Sequence, residues 1–183
     1  MTTLKQKSIF QKIDKFEHNI CLYFNNFSRK KTVKRFFSII SRLGDGGLWY
    51  TLMFGLFFLF GFKGYVVAMG MALMAIINVA IYKSLKSRLV RERPYISFGD
   101  LSCGTPPLDQ YSFPSGHTLH AVSFTVVCVH FFPILAVLLI PISILIAVSR
   151  VVLGLHYPTD VLIGALIGIA ISLSTIQVIS IFV

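Results

Sequence analysis

The chain has 183 residues, 55% of them hydrophobic and only 13% charged, with a formal net charge of +10 and a mean hydropathy of +0.77. A water-soluble domain of this length carries about a quarter charged residues, so an ordinary soluble enzyme is excluded and a bilayer is the expected solvent. The three cysteines, Cys21, Cys103 and Cys128, are odd in number and lack metal-ligand spacing. They imply neither a disulfide framework nor a zinc site.

Charge is concentrated in the first segment. Residues 1–42 hold ten Lys/Arg and two acids, whereas the remainder is close to balanced. Ile9, Ile13, Phe16, Ile20, Phe24 and Phe27 recur at steps of three and four, and Val33, Phe36, Phe37, Ile40 and Leu43 continue the stripe. A basic, aromatic-rich amphipathic segment fits a helix lying in a membrane interface better than a nucleic-acid-binding arm. Residues 1–43 are therefore expected to form basic interfacial helices and 44–183 a membrane-embedded domain, with membrane lipids as partners and no nucleic acid. No secretory signal is expected, because the first long apolar run begins only near Gly47.

Apolar runs then predict five spans, over 48–62, 65–82, 118–132, 134–153 and 159–183. The fold class is an all-α integral-membrane bundle of about five helices. The first and third spans are short against the ~20 residues that a bilayer core requires. Gly164 and Gly168 form a G-x-x-x-G on the last, the pattern of a close helix-packing face. The segment 95–113 is rich in turn formers and contains no span. With five crossings it shares a membrane face with the end of the fourth span and the start of the fifth.

Three polar clusters fall on that face. In the first, Lys86 and Arg93 are seven residues apart. On one helix ending near Pro94 they would share a face ~10 Å apart along the axis and converge on one anion. Alone, this run with Arg88 and Arg91 reads better as basic side chains snorkelling to the interface. In the second, Pro114-Ser115-Gly116-His117 opens an apolar helix. Ser115 is a natural N-cap, Gly116 lets an anion approach the backbone amides, and His117 stands beside it, placed to donate a proton. An ordinary helix start with an interfacial histidine would look the same. His117 and His120 lie one turn apart, but no carboxylate or cysteine cluster completes a metal site, so neither a metal nor another cofactor is expected. In the third, Arg150 ends the fourth span and His156 precedes Tyr157-Pro158. Asp160 falls in the first turn of the last span, where its carboxylate can reach the imidazole and free the other nitrogen as nucleophile or base. Asp109 and Tyr111, near the second cluster, are expected to help shape a headgroup pocket.

Together, Lys86-x6-Arg93-Pro94, Pro114-Ser115-Gly116-His117 and Ser149-Arg150-x5-His156-x3-Asp160 resemble the three signature motifs of the type 2 phosphatidic acid phosphatase superfamily, which also includes the vanadium haloperoxidases. The resemblance covers residues 86–160 with no motif position missing. It implies a metal-independent lipid phosphatase, sensitive to vanadate, that works through a phosphohistidine. His156 would be the nucleophile, Asp160 its orienting partner and His117 the acid that protonates the leaving oxygen. Lys86, Arg93 and Arg150, with Ser115 and the Gly116 amide, would cradle the phosphoryl oxygens. Candidate substrates are lipid mono- or diphosphates such as undecaprenyl diphosphate, phosphatidylglycerol phosphate and phosphatidate.

The alternatives are a lipid phosphotransferase using the same site and a non-catalytic lipid-binding membrane protein. Haloperoxidase chemistry suits a membrane-embedded pocket poorly. The chain is expected to lack an additional span that many bacterial relatives carry before the amphipathic region. The resemblance implies the bacterial inner membrane with the site on its outer face, whereas the basic arm argues for the cytoplasmic face. Nothing in the spacing sets an oligomeric state.

Overall fold

The structure, a computed structural model, describes the backbone of residues 2–183 and the side chains from residue 12 onward. Seven α-helices follow in chain order: α1 Thr2–Phe27, α2 Lys31–Leu43, α3 Gly47–Arg88, α4 Pro94–Ser97, α5 Gly116–Phe131, α6 Ala136–Val152 and α7 Pro158–Ile179. A single 3-10 turn over Pro133–Leu135 leads into α6. No strand occurs among the described residues. Three helical stretches, Gly47–Arg88, Pro133–Val152 and Pro158–Ile179, are long and apolar enough to cross a bilayer.

The first of these contains a reversal. Gly61 has φ 55° and ψ −137° in the middle of α3, a conformation that glycine adopts at little cost and a side chain would oppose. Beyond it the chain folds back on itself. A Cβ on Gly64 would fall 1.9 Å from the carbonyl oxygen of Leu56, and the rings of Phe57 and Tyr65 lie 6.1 Å apart. In a continuous helix residues eight apart are ~12 Å distant along the axis. The 42-residue helix is thus two arms that meet at Gly61, which falls within the stretch 48–62, one residue before its expected end.

The arms pack with α5, α6 and α7 around a core of Trp49, Leu56, Met71, Met74, Phe124, Leu139 and Ile146. α7 lies closely against α5. A Cβ on Gly164 would come 2.6 Å from the Ser115 carbonyl oxygen and one on Gly168 2.7 Å from that of Leu119, so the G-x-x-x-G face admits the α5 backbone where any side chain would collide. Polar bonds between helices join Asn78 to Ser123 at 2.8 Å and Thr125 to Ser143 at 2.6 Å.

The N-terminal helices present an inverted amphipathicity. On α1 the apolar Ile13, Phe16, Ile20 and Phe27 are exposed, Phe16 by 80%, as an interfacial helix requires. Ile9 lies outside the residues whose side chains are described. On the opposite face Asp14, Glu17, Cys21, Asn25 and Ser28 are buried, and α1 rests on α4, α6 and α7 while α2 rests on α6. Asn25 fastens this face. Its amide nitrogen donates to the carbonyls of Ser102 and Val152, each at 3.0 Å, and its oxygen accepts from the Ser102 amide at 2.9 Å. The loop after α4 is thereby tied to both α1 and the end of α6.

One local expectation is corrected. The helix bearing Lys86 does not run to Pro94. α3 ends at Arg88, and Leu89 already has φ −108° and ψ 71°. The Ser112 amide donates to the Arg91 carbonyl at 2.9 Å, and its hydroxyl reaches the Glu92 carbonyl at 3.1 Å. These carbonyls pair with the loop instead of with a continuing helix. Arg93 is extended and caps the short α4, whose first residue is Pro94.

Candidate active site

Helix ends gather the polar clusters at one end of the bundle. Lys86 closes α3, Gly116 and His117 open α5, Arg150 lies in the last turn of α6, and Asp160 lies in the first turn of α7. Lys86, Arg93, Gly116, His117, Arg150 and His156 line one cavity of about 810 Å³, within the size range of ligand pockets. Ser115 and Asp160 stand behind this lining and are fully buried. The Ser115 hydroxyl lies 2.9 Å from the Thr118 hydroxyl and accepts from the Thr118 amide at 3.5 Å, so it serves its own helix as the N-cap. Its backbone amide donates to the Asp160 carbonyl at 3.1 Å, which joins the starts of α5 and α7.

His156 is 1% exposed, in the turn that Gly154 opens with φ 70°. Arg93 Nη1 donates to the Leu155 carbonyl at 2.8 Å and lies 3.3 Å from His156 Nε2. A guanidinium has no acceptor, so Nε2 must present its lone pair and Nδ1 carries the proton. Asp160 Oδ2 is 3.5 Å from that Nδ1. Burial, followed by Arg93, Arg150, Lys86 and His117, holds the imidazole pKa well below its ordinary value. His156 therefore stays neutral at physiological pH, with its free lone pair on the side of Arg93.

The Asp160 carboxylate is held from both sides. Oδ2 accepts from the Tyr157 amide at 2.9 Å, and Oδ1 is 2.5 Å from Arg91 Nη1. Arg91 is 1% exposed. Its guanidinium also bonds Asp14 Oδ1 at 2.9 and 2.7 Å, Glu17 Oε2 at 2.8 Å and the Thr159 hydroxyl at 2.8 Å, and it covers the Tyr157 ring at 3.9 Å. Burial opposes its charge, but Asp160, Glu17 and Asp14 raise its pKa above the ordinary arginine value. Arg91 is therefore not a side chain snorkelling to the interface. The polar stripe of α1, with the same three-and-four spacing as its apolar stripe, was the sequence signal for this partner.

Three cations face the cavity. Lys86 Nζ donates to Asp109 Oδ1 at 2.6 Å and to the Tyr111 carbonyl at 2.9 Å. Arg93 Nη2 donates to the same Asp109 oxygen at 2.7 Å, so one carboxylate bridges two of the three. Arg150 bonds the Ser41 hydroxyl, while its buried Nε has no hydrogen-bond partner. His117 Nε2 lies 2.6 Å from Asp45 Oδ1, in a turn that the motif spacing does not single out. His120 Nδ1 is taken by the Gly116 carbonyl at 3.0 Å. The two histidines of α5 thus have separate partners, and no group of three or more potential metal ligands occurs among the described residues. The cavity's other wall is apolar and comes from both arms of α3, including Trp49, Met53, Ala75, Ile76 and Val79.

The class so defined is an all-helical protein whose apolar bundle carries, at one end, a cationic cavity lined by three histidines. The chain belongs to the PAP2 superfamily, whose family model matches residues 64–182. Among curated proteins it is similar to phosphatidylglycerophosphatase B of Haemophilus influenzae, 38% identical over 68 residues, which are 32% of this chain and 28% of that protein. Among solved structures it is similar to LpxE of Aquifex aeolicus, with a TM-score of 0.70 and 28% identity, covering 88% of this chain and 95% of that one. The fold is also that of a transmembrane PAP2-type phosphatidylglycerolphosphate phosphatase from Bacillus subtilis, with a TM-score of 0.66 and 22% identity, covering 94% and 92% of the two chains.

Proposed function

We propose that the protein is a membrane lipid phosphatase that removes a terminal phosphate from a lipid mono- or diphosphate through a phosphohistidine on His156. The observation that carries this reading is the convergence of Lys86, Arg93, Arg150, His117 and His156 on one cavity that both arms of α3 line with apolar side chains. Phosphoryl transfer needs little besides positioning and charge stabilisation, and the three cations with the first amides of α5 offer both. His156 Nε2 attacks phosphorus as the bond to the leaving oxygen breaks, and His117 delivers a proton to that oxygen. Asp160 balances the positive charge that develops on the His156 ring. Water then attacks the phosphohistidine, with His117 accepting its proton, and inorganic phosphate leaves.

The two arms of α3, with α5, α6 and α7, make five crossings in this reading, and each arm contributes an exposed side chain to the cavity lining, Tyr50 from the first and Ile76 from the second. An acyl or prenyl chain would lie there while its phosphate reaches the cations. Phosphatidylglycerophosphatase B and the Bacillus subtilis phosphatidylglycerolphosphate phosphatase, to which the chain is similar, support the same substrate class. We place the protein in the bacterial inner membrane, with the cavity on the outer face.

The test is phosphate release by the purified protein across a panel of phosphatidate, phosphatidylglycerol phosphate and undecaprenyl diphosphate, in EDTA, with and without vanadate. Turnover in EDTA that vanadate abolishes is expected. Labelled phosphate accumulating on an acceptor lipid would identify a phosphotransferase instead, and no turnover on any lipid would leave a binding protein.

Asp109 provides a further check. Its carboxylate bridges Lys86 and Arg93 where a phosphoryl oxygen would sit, and an entering anion must compete with it. Asp109→Asn is expected to tighten vanadate inhibition by on the order of tenfold, the side chain being partly exposed and its Coulomb effect screened. Unchanged or weaker inhibition would mean that Asp109 positions the two cations more than it competes for them.

A further inference from the structure

The turn between α2 and α3 is built around the His117 ring, although it precedes both the three motifs and the matched residues 64–182. Asp45 Oδ1 is 2.6 Å from His117 Nε2. Next to it, a Cβ on Gly44 would come within 2.8 Å of His117 Cδ2, so the backbone lies against the imidazole edge. Three residues before Gly44, in the last turn of α2, the Ser41 hydroxyl accepts from Arg150. One short segment therefore touches two cavity residues at once.

The Asp45 side chain is 40% exposed, while that of His117 is 11% exposed. The bond to His117, together with Arg150 and Arg42, holds the Asp45 pKa below the ordinary carboxylate value against its partial burial. The carboxylate is thus ionised and accepts a proton from Nε2. The other charged or titratable groups that act on His117 are Arg150, from α6, and His120, one turn along its own helix. Burial, and after it Arg150, holds the His117 pKa down to about 4, and Asp45 is the one of these groups whose charge favours the imidazolium that the acid step requires.

We propose that Asp45 is a positioning residue for His117, holding the Nε2 hydrogen so that Nδ1 is the atom that gives a proton to the leaving oxygen and later takes one from water. This rests on the phosphatase reading above. The logic is that of a carboxylate that fixes the tautomer of a catalytic histidine and stabilises its charged form. In the first step the proton on Nδ1 passes to the leaving oxygen, and the ring stays neutral with Nε2–H on Asp45. In the second step Nδ1 takes a proton from the attacking water and the imidazolium is restored.

The experiment compares wild type with Asp45→Asn, Asp45→Glu and His117→Ala. kcat/KM is measured against pH on two substrates, the panel lipid monoester turned over fastest and p-nitrophenyl phosphate. The lipid for this comparison is one of the two phosphate monoesters, phosphatidate or phosphatidylglycerol phosphate, because their alkoxides need a proton to depart whereas a nitrophenolate does not. Asp45→Asn is expected to lose on the order of 100-fold on the lipid, the scale of general acid catalysis, and far less on the nitrophenyl ester. The high-pH limb of its lipid profile should move to lower pH, because without Asp45 the imidazolium gives up its proton more readily. Asp45→Glu should recover part of the loss.

Equal losses on both substrates, an unmoved limb, or full activity of Asp45→Asn would overturn the assignment. His117→Ala separates this from failure of the parent reading. If its loss is also independent of the leaving group, the acid role of His117 falls and that of Asp45 with it. If the His117→Ala loss is confined to the lipid while Asp45→Asn is unaffected, Asp45 alone is excluded.

Discussion

Replacing His156 with alanine is expected to abolish phosphate release from every lipid in the panel, by about 10⁴-fold or more, as removal of a nucleophile that acts in concert with its partners does. The side chain is 1% exposed and sits between Arg93, 3.3 Å from Nε2, and Asp160, 3.5 Å from Nδ1. His117, the other cavity histidine with a carboxylate behind it, is held by Asp45 in the turn before α3, whereas His156 lies in the field of two of the three cavity cations, Arg93 and Arg150. Loss of activity alone would also follow from misfolding, so the variant must be shown to retain its helical content and its thermal transition in detergent. Among the described residues the buried Nδ1 has no hydrogen-bond partner, Asp160 standing 3.5 Å away, and removal of the imidazole also frees Arg93 from a close neighbour. A folded His156→Ala protein that still turned over lipid would exclude the phosphohistidine mechanism. Trapping labelled phosphate on acid-quenched wild type, and its absence from the variant, gives the complementary reading.

The second large effect is expected at Arg91. Its guanidinium is the common partner of Asp14, Glu17 and Asp160. Arg91→Met would leave three carboxylates clustered without their cation, and removing one partner of a buried ionic group costs roughly 3–5 kcal/mol. A large drop in the thermal transition is expected, together with loss of activity, because Asp160 would lose one of its two fixed donors. Adding Asp14→Asn and Glu17→Gln to Arg91→Met should recover much of the stability, since the uncompensated charge is then reduced. Activity should recover less, because the Asp160 bond is still missing. An Arg91→Met protein with unchanged stability would show that the network is not held by this cation. The result bears on the N-terminal helix as well, since Glu17 also accepts from the Thr159 amide and hydroxyl, each at 2.7 Å. α1 is connected through these bonds to the first turn of α7, where Asp160 lies.

Much of the site was legible because its residues carry local instructions. Ser115 caps the helix it precedes, Pro158 opens the helix that holds Asp160, and Gly154 makes the turn before His156. The spacing of Lys86 and Arg93 pointed to convergence, and the structure achieves it by another route, since the helix ends at Arg88. The competing factor was Ser112, whose bonds to the Arg91 and Glu92 carbonyls replace helix continuation. Ser115 was expected at the phosphate, and its hydroxyl stands behind the cavity lining, 2.9 Å from that of Thr118. α1 shows a different failure. Its apolar stripe stands out in an apolar chain, but the polar stripe on its other face has the same period, and the exposed stripe is the apolar one. Soluble-protein intuition inverts in a bilayer, where the polar face is the one that needs a protein partner.

By itself the amino-acid sequence determined the solvent, the helical class and the identity of the motif residues, because hydropathy, helix capping and short-range spacing are local properties. Only the tertiary structure decided which charges are paired. Arg91 meets Asp14 across 77 residues, Asp45 meets His117 across 72, and Asp109 reaches Lys86 across 23. An arginine or aspartate in a low-charge chain looks the same whether it snorkels to water or is buried against a partner. The difference is made by desolvation, which forces each buried charge to find its counter-charge only once the helices have packed.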